Sequence, residues 1–183
     1  NQYLSGETYP DSAADAENEM SAADVAIIAQ RLLSDYPEIL KTTKQAQFTF
    51  GPQTIDETKM NTWNLMLPGQ KNAPQDYIVD GLKTGTTDKA GDCFTGTATK
   101  QGQRIITVVM HANGSDMSRR FIVTNQLMQF VFDNWQAQTL VAAKASVPAY
   151  QTATVKYGRT AKVTLVSEQA IRLWLPKGAT SAN

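Results

Sequence analysis

Apolar residues recur every three to four positions in a first segment that follows a polar, turn-rich stretch at residues 1–20. Ser21 is a favourable N-cap, and Asp24 three residues later completes the pattern of a capping box. Pro37 ends the run, since proline cannot continue a helix. This spacing predicts an amphipathic helix, whose apolar positions are Val25, Ile28, Leu32 and Tyr36.

The next stretch has weaker periodicity. Residues 35–40 are predicted to form a short second helix, and Phe48-Thr49-Phe50 a brief strand before Gly51. Residues 51–76 are interpreted mostly as loop around a small apolar cluster.

Three strand-like segments follow, at residues 77–87, 94–100 and 104–111. Their connections are short and contain glycine, which favours an antiparallel meander. The third segment is almost continuously apolar from Ile105 to Met110. It is therefore predicted to lie inside the sheet with both faces covered.

A turn at Asn113-Gly114 precedes a long helical pattern at residues 117–135, which is expected to pack on the sheet. The predicted fold class is therefore α+β, an antiparallel sheet packed with helices. Residues 138–150 are interpreted as a connector, and three short strands of a small all-β unit are predicted after it. The predicted organisation is a first domain at 1–137, the connector at 138–150 and a β-rich unit at 151–183.

Composition adds few constraints. The chain has 183 residues, 42% of them apolar and 19% charged, which is ordinary for a globular chain with a core. Seventeen bases balance seventeen acids, so nucleic-acid binding is not expected. Within this balance the first 40 residues are strongly acidic and the remainder basic.

The sequence contains few residues that could bind a metal ion or act as a cysteine nucleophile. Cys93 and His111 are single, which excludes an internal disulfide and a zinc cluster of cysteines and histidines, so no metal or cofactor is expected. Cys93 is interpreted as a packing residue rather than a nucleophile, and His111 as a structural strand-end histidine rather than a base. No run approaches the roughly 20 apolar residues of a membrane helix, and no signal peptide is visible.

The most informative stretch runs from residue 80 to residue 91 and places two glycines inside a predicted strand. Such glycines often mark a close approach of another backbone or a ligand. Lys83 and Gly85 share one strand face, with the Thr84 hydroxyl adjacent. A cation beside bare backbone suits an extended peptide with a terminal carboxylate. The alternative is an exposed lysine and a bulge in an ordinary hairpin.

The stretch also resembles a known family. Lys83-Thr84-Gly85 within residues 80–91 is similar to the third motif of the penicillin-recognising serine enzymes, and especially of the low-molecular-mass D-alanyl-D-alanine carboxypeptidases. The flanking segments resemble that family in order, from the helix at Ser21 to the helix containing Arg119-Arg120-Phe121 and ending at Trp135. The resemblance implies a β-lactamase/transpeptidase-like domain followed by a β-rich unit.

The resemblance implies acyl transfer by a serine, with penicillin acylating the enzyme as a substrate mimic. Lys83 would supply positive potential near the reacting serine and the substrate carboxylate. Thr84 would donate a hydrogen bond to that carboxylate, and Gly85 would let the substrate backbone approach. The backbone N–H of Thr86 would be an oxyanion-hole donor. Arg120 would help to hold the carboxylate, or else be a helix-surface arginine.

The sequence departs from the family pattern in a major respect. No serine has a lysine three residues later, and no Ser-x-Asn motif precedes Lys83. The chain resembles the family from just after its second motif onward and is predicted to be inactive alone. The parent would be a hydrolase that trims peptidoglycan. The alternatives are a non-catalytic wall-binding or interaction module and a β-lactamase relative.

The implied partners follow from the same resemblance. They are peptidoglycan stem peptides ending in D-Ala-D-Ala, β-lactam antibiotics and the missing N-terminal part of the catalytic domain. The expected location is extracytoplasmic, at the bacterial cell surface and membrane-associated.

Overall fold

The computed structural model describes residues 19–112, 114, 117–147 and 149–179. The polar, turn-rich segment expected before residue 19 and the turn expected at Asn113 lie outside these residues. The described residues divide into two compact units, one within the ranges 1–100 and 104–126 and the other within 101–103 and 127–183.

The first helix, α1, spans Ala22–Asp35 and begins as the sequence predicts. The Asp24 backbone N–H donates to the Ser21 hydroxyl at 3.2 Å, and the Ser21 N–H donates to the Asp24 carboxylate at 2.9 Å. These bonds form a reciprocal capping box. The Ser21 hydroxyl also donates to the Asp24 carboxylate at 2.7 Å, and this bond, followed by the bond from the Ser21 N–H, lowers the pKa of Asp24. The helix ends before Pro37, which confirms the predicted stop.

The second helix, α2, spans Ile39–Thr43, so the prediction of a helix at residues 35–40 was placed too early. Residues 36–38 instead form a tight turn that leads into α2, with Ile39 donating to the Tyr36 carbonyl and Leu40 to the Pro37 carbonyl. Strand β1 (Gln47–Phe50) is confirmed and pairs antiparallel with β2 (Thr58–Asn61). The interpretation of residues 51–76 as mostly loop missed β2, whose four residues carry no apolar alternation and are all exposed in the structure.

The three predicted strands form a sheet in the order β3 (Ile78–Thr87), β4 (Gly91–Lys100) and β5 (Gln103–Val109). Gln101 and Gly102 both have positive φ, as a two-residue hairpin loop between antiparallel strands requires. The expectation that β5 lies inside the sheet is wrong. In the described chain β4 is the central strand, and most of β5 is only half-buried.

The third helix, α3, spans Arg119–Asn134, within the segment predicted for it. Phe121 near its N-terminus packs edge to face on Phe94 of β4, with ring centroids 5.1 Å apart. Both side chains are 1% exposed. This contact confirms that the helix packs on the sheet.

The second unit contains two small antiparallel sheets. Strand β6 (Trp135–Val141) pairs with β9 (Ile171–Pro176), and β7 (Thr152–Thr154) pairs with β8 (Lys162–Thr164). The three strands predicted after residue 150 are confirmed. The interpretation of residues 138–150 as a connector did not anticipate β6, and the domain boundaries at 137 and 150 stay predictions. Among the described residues, no helix is long and apolar enough to span a bilayer.

Candidate active-site strand

Strand β3 carries the Lys83–Thr86 segment and lies at one edge of its sheet. Its register with β4 sets Lys83 opposite Thr95, Gly85 opposite Cys93 and Thr86 opposite Asp92. In the part of the chain that the structure describes, no strand pairs with the other edge of β3. An edge of this kind presents unpaired backbone groups to an extended peptide.

The start of this edge is covered by polar side chains. The Thr43 hydroxyl of α2 donates to the Asp80 carbonyl at 2.8 Å, and the buried Asn64 amide donates to the Gly81 carbonyl at 3.5 Å. A Cβ on Gly81 would come within 2.8 Å of the Thr43 hydroxyl oxygen, so glycine permits this close approach. Thr43 and Asn64 were not singled out from the sequence.

The edge is open further along the strand. A Cβ on Gly85 would meet no atom within 4 Å, apart from its chain neighbours. The two glycines therefore serve different purposes, since Gly81 admits a neighbour that is present and Gly85 leaves free space. Free space beside an exposed strand edge is what an incoming peptide backbone requires.

A pocket of about 490 Å³ adjoins the middle of this strand. Residues from three strands and the loop after β2 line it, among them Phe48, Met60, Trp63, Leu82, Lys83 and Thr84. A concave, largely apolar wall with a cation and a hydroxyl at its margin is typical of a small-molecule site.

Lys83 and Thr84 stand at the margin of this pocket with donor capacity to spare. The Lys83 ammonium is exposed and donates to the Thr84 carbonyl at 2.6 Å, and it forms no ion pair with a described residue. The Thr84 hydroxyl is half-buried and has no hydrogen-bond partner among the described residues. Both groups can therefore donate to a bound carboxylate.

The Thr86 side chain is already fully engaged. Its hydroxyl donates to the Asp92 carboxylate at 2.8 Å and accepts from Nη1 of Arg120 at 2.9 Å. The same Arg120 nitrogen donates to the Gly85 carbonyl at 3.0 Å. A partly buried network, anchored by the buried Arg120, thus surrounds the Gly85–Thr86 peptide group.

The direction of the Thr86 N–H follows from this geometry. The Arg120 nitrogen that binds the Gly85 carbonyl also lies 3.4 Å from the carbonyl oxygen of Cys93 on β4, so the Gly85 carbonyl faces the β4 side. The N–H and C=O of a trans peptide point in opposite directions. The Thr86 N–H therefore points to the open edge of β3.

Arg120 is not a surface residue, so the alternative interpretation of it as a helix-surface arginine was wrong. Its side chain is 3% exposed, and its guanidinium lies 3.5 Å from Asp92. Its Nε atom is buried without a partner in the described structure. The predicted role in holding a substrate carboxylate stays a prediction, since Nη1 is occupied by acceptors of the protein itself.

Asp92 is a further site residue that the sequence interpretation did not single out. The tight turn between β3 and β4 could have indicated it. Pairing residues outward from this turn sets Thr87 opposite Gly91 and Thr86 opposite Asp92. An acid opposite an oxyanion-donor candidate is meaningful only once this register is known.

Cys93 and His111 lie at the turn end of the β3–β4 hairpin. Cys93 is half-buried, and its thiol donates to the Ala90 carbonyl at 3.4 Å. His111 lies against Gly91, where a Cβ would come within 3.0 Å of its Nδ1. In the described ranges no cluster of three or more histidine, cysteine or acidic residues could hold a metal ion.

Comparison with known proteins is consistent with this geometry. The family model for D-alanyl-D-alanine carboxypeptidases, peptidase family S11, matches residues 10–114. The chain is 28% identical over 165 residues to the D-alanyl-D-alanine carboxypeptidase DacC of Escherichia coli, covering 90% of this chain and 38% of that protein. It is 30% identical to DacA of Haemophilus influenzae, covering 95% of this chain and 41% of that protein.

Solved structures show the same likeness. The structure of a peptidoglycan synthesis regulatory factor (PBP3) from Streptococcus pneumoniae has a TM-score of 0.76 at 35% identity, covering 94% of this chain and 45% of that one. Penicillin-binding protein 5 from Haemophilus influenzae has a TM-score of 0.65 at 27% identity, covering 86% and 42%. These neighbours agree with the predicted α+β, transpeptidase-like fold.

The chain spans about two fifths of the length of these curated relatives. The family match includes the whole of β3, which carries Lys83–Thr86, together with β4 and β5. The chain therefore belongs to the D-alanyl-D-alanine carboxypeptidase family, peptidase family S11.

Proposed function

We propose that this chain is the portion of a serine-type D-Ala-D-Ala carboxypeptidase that carries the substrate-binding strand. The observation that carries the proposal is the open edge of β3. There, an exposed lysine, a threonine hydroxyl without a partner in the described ranges, a bare glycine and an outward-facing backbone N–H occur consecutively. The family match supports the same function.

The residues have distinct roles in the reaction. A peptidoglycan stem peptide ending in D-Ala-D-Ala lies along β3, and Gly85 leaves room for its backbone. Thr84 donates its hydroxyl hydrogen bond to the terminal carboxylate, and Lys83 adds positive potential there and near the reacting serine. The Thr86 N–H stabilises the oxyanion as the serine of the parent protein attacks the carbonyl.

The acyl-enzyme forms when the serine oxygen bonds to the carbonyl carbon and terminal D-alanine leaves as the amine. Water then hydrolyses the ester and releases the shortened peptide. A β-lactam enters the same site, and opening of its ring gives the corresponding acyl-enzyme. The serine and its lysine partner belong to the rest of the parent catalytic domain, which the proposal makes the partner of this chain.

The proposal includes a location outside the cytoplasm, at the cell surface, and association with the membrane, because the peptidoglycan substrate lies outside the cytoplasmic membrane. Cell fractionation with an antibody to this chain tests the location, and recovery in the soluble cytoplasmic fraction would contradict it.

The test of the enzymatic proposal is acylation of the full-length parent protein by a fluorescent penicillin. Lys83→Ala should slow labelling by about tenfold or more, because a charge-assisted hydrogen bond contributes roughly 1.5–3 kcal/mol. Lys71→Ala is the matched control, since Lys71 is exposed and has no ion pair with a described residue. Equal labelling of the Lys83 variant and the wild type would refute the assigned role.

The isolated chain provides the complementary measurement. It should not be labelled covalently, because none of its serines has a lysine three residues later. A parent protein that is not acylated at all would favour a non-catalytic wall-binding module instead.

A further inference from the structure

Asp92 contacts both groups that control the Gly85–Thr86 peptide. It lies on β4 opposite Thr86, and its side chain is 12% exposed. Its Oδ1 atom accepts the Thr86 hydroxyl proton at 2.8 Å and lies 3.5 Å from Nη1 of Arg120.

These contacts remove the Thr86 side chain from substrate recognition. A threonine hydroxyl has one proton to donate, and an ionised carboxylate can only accept. Since Asp92 takes that proton and Arg120 donates to the oxygen, the hydroxyl has no proton left for a substrate carboxylate. The backbone N–H of Thr86 remains available at the open edge.

The charge of Asp92 also explains why Arg120 can be buried here. A guanidinium that is 3% exposed requires a counter-charge, since an unpaired buried charge is strongly destabilising. In the described residues Asp92 forms the ion pair with Arg120. The guanidinium in turn donates to the Gly85 carbonyl at 3.0 Å and fixes the plane of the peptide that ends in the Thr86 N–H.

We propose that Asp92 and Arg120 are a positioning pair that holds the Gly85–Thr86 peptide with its N–H aimed at the oxyanion. The inference rests on the proposed carboxypeptidase function. Neither side chain needs to touch the substrate, because both act through the peptide group. A preorganised oxyanion donor is effective only when it is held at the position where charge develops.

The test separates the acylation step from binding in the full-length parent protein. Single-turnover labelling over a range of fluorescent penicillin concentrations gives a limiting acylation rate constant and a dissociation constant. Asp92→Asn should lower the limiting rate constant by about tenfold or more, because losing an oxyanion donor entirely costs about 10²–10³-fold. The dissociation constant should stay within about twofold, since the donors to the carboxylate remain.

Two further variants keep the test decisive if Asp92→Asn is poorly folded. Thr86→Val removes the hydroxyl that links Asp92 to the strand without removing a charge, and should show the same loss of limiting rate. Thr86→Ser keeps the hydroxyl and should restore the rate. Asp88→Asn is the matched control, since Asp88 is an exposed acid in the adjoining turn without an ion pair to a described residue.

The outcomes are distinguishable. Absence of labelling in the wild-type parent would overturn the proposed function itself. A labelled wild type with unchanged limiting rates in Asp92→Asn and Thr86→Val would overturn only the positioning pair. A loss confined to the dissociation constant would also overturn it, because the two residues would then act in binding the carboxylate.

Discussion

Arg104 holds Asp80 through two parallel hydrogen bonds, Nη1 to Oδ1 at 2.8 Å and Nη2 to Oδ2 at 2.7 Å. The pair joins β5 to β3 across the central strand, and Nη1 also donates to the Thr97 hydroxyl of β4 at 2.9 Å. The hydrogen bonds to Asp80 raise the pKa of Arg104. Arg104 thereby links all three strands at Asp80, which precedes Lys83 by three residues.

Replacing Arg104 by methionine should lower the free energy of unfolding of the chain by about 2 kcal/mol, because two charge-assisted bonds are lost and Asp80 is left unpaired. Arg104→Lys keeps the charge but not the paired geometry, and should give an intermediate loss. Urea denaturation followed by circular dichroism measures both.

The exposed pair Arg31–Asp35 is the matched control for this substitution. These side chains are 74% and 42% exposed, so Arg31→Met should change stability by less than about 0.5 kcal/mol. Equal losses at Arg31 and Arg104 would show that the link across the sheet has no special role.

Thr84 should contribute to recognition of the substrate carboxylate specifically. In the full-length parent, Thr84→Val should slow acylation by a penicillin by about tenfold or more, because the unpartnered hydroxyl is the donor that is lost. The methyl ester of the same penicillin has no carboxylate charge and should show a much smaller difference between variant and wild type. Thr84→Ser should behave like the wild type, whereas equal losses with acid and ester would contradict the assignment.

Tyr77 should make the stability of the chain depend on pH in the alkaline range. Burial, with a smaller effect from the negative charge of Asp76, raises the pKa of Tyr77 to about 12. Its hydroxyl donates to the Asn125 side chain. Because the unfolded chain releases this proton near pH 10 and the folded chain retains it, folding stability should fall as the pH rises from 10 towards 12.

The comparison with Tyr77→Phe isolates this effect. The stability difference between wild type and variant should be constant from pH 7 to 9 and should then shift against the wild type as the pH rises. Urea unfolding at pH 8, 10 and 11 measures it. A difference that stays constant up to pH 11 would contradict the raised pKa.

Phe121 should account for a large share of the packing between α3 and the sheet. Phe121→Ala should cost about 3 to 5 kcal/mol, because a fully buried ring is replaced by a cavity beside Phe94. Phe130→Ala on the same helix removes a ring that is 60% exposed and should have little effect. Thermal unfolding compares the two variants, and similar losses would show that burial at Phe121 is not decisive.

Elements with strong local signals could be predicted from the sequence, and elements formed by pairing could not. The capping box at Ser21 and Asp24 fixes the start of α1 within one turn of chain, so local pattern was sufficient. Strand β2 has four exposed residues and is defined by its pairing with β1. No local sequence pattern predicts that pairing. The central position of β4 likewise depends on strand order rather than on hydropathy, which had favoured β5.

The same distinction, between local sequence pattern and tertiary contact, applies to the candidate site. The sequence by itself determined the family and the Lys83-Thr84-Gly85 strand, because these depend on residue identity and spacing along the chain. Only the tertiary structure decided that the Thr84 hydroxyl has no partner among the described residues, that Asp92 takes the Thr86 hydroxyl proton, and that Arg120 is buried against Asp92. The contacts of Arg120 with β3 and β4 span 27 to 35 residues of sequence, and the Thr86–Asp92 contact spans six residues across the β3–β4 turn. The folded sheet and helix bring these partners together.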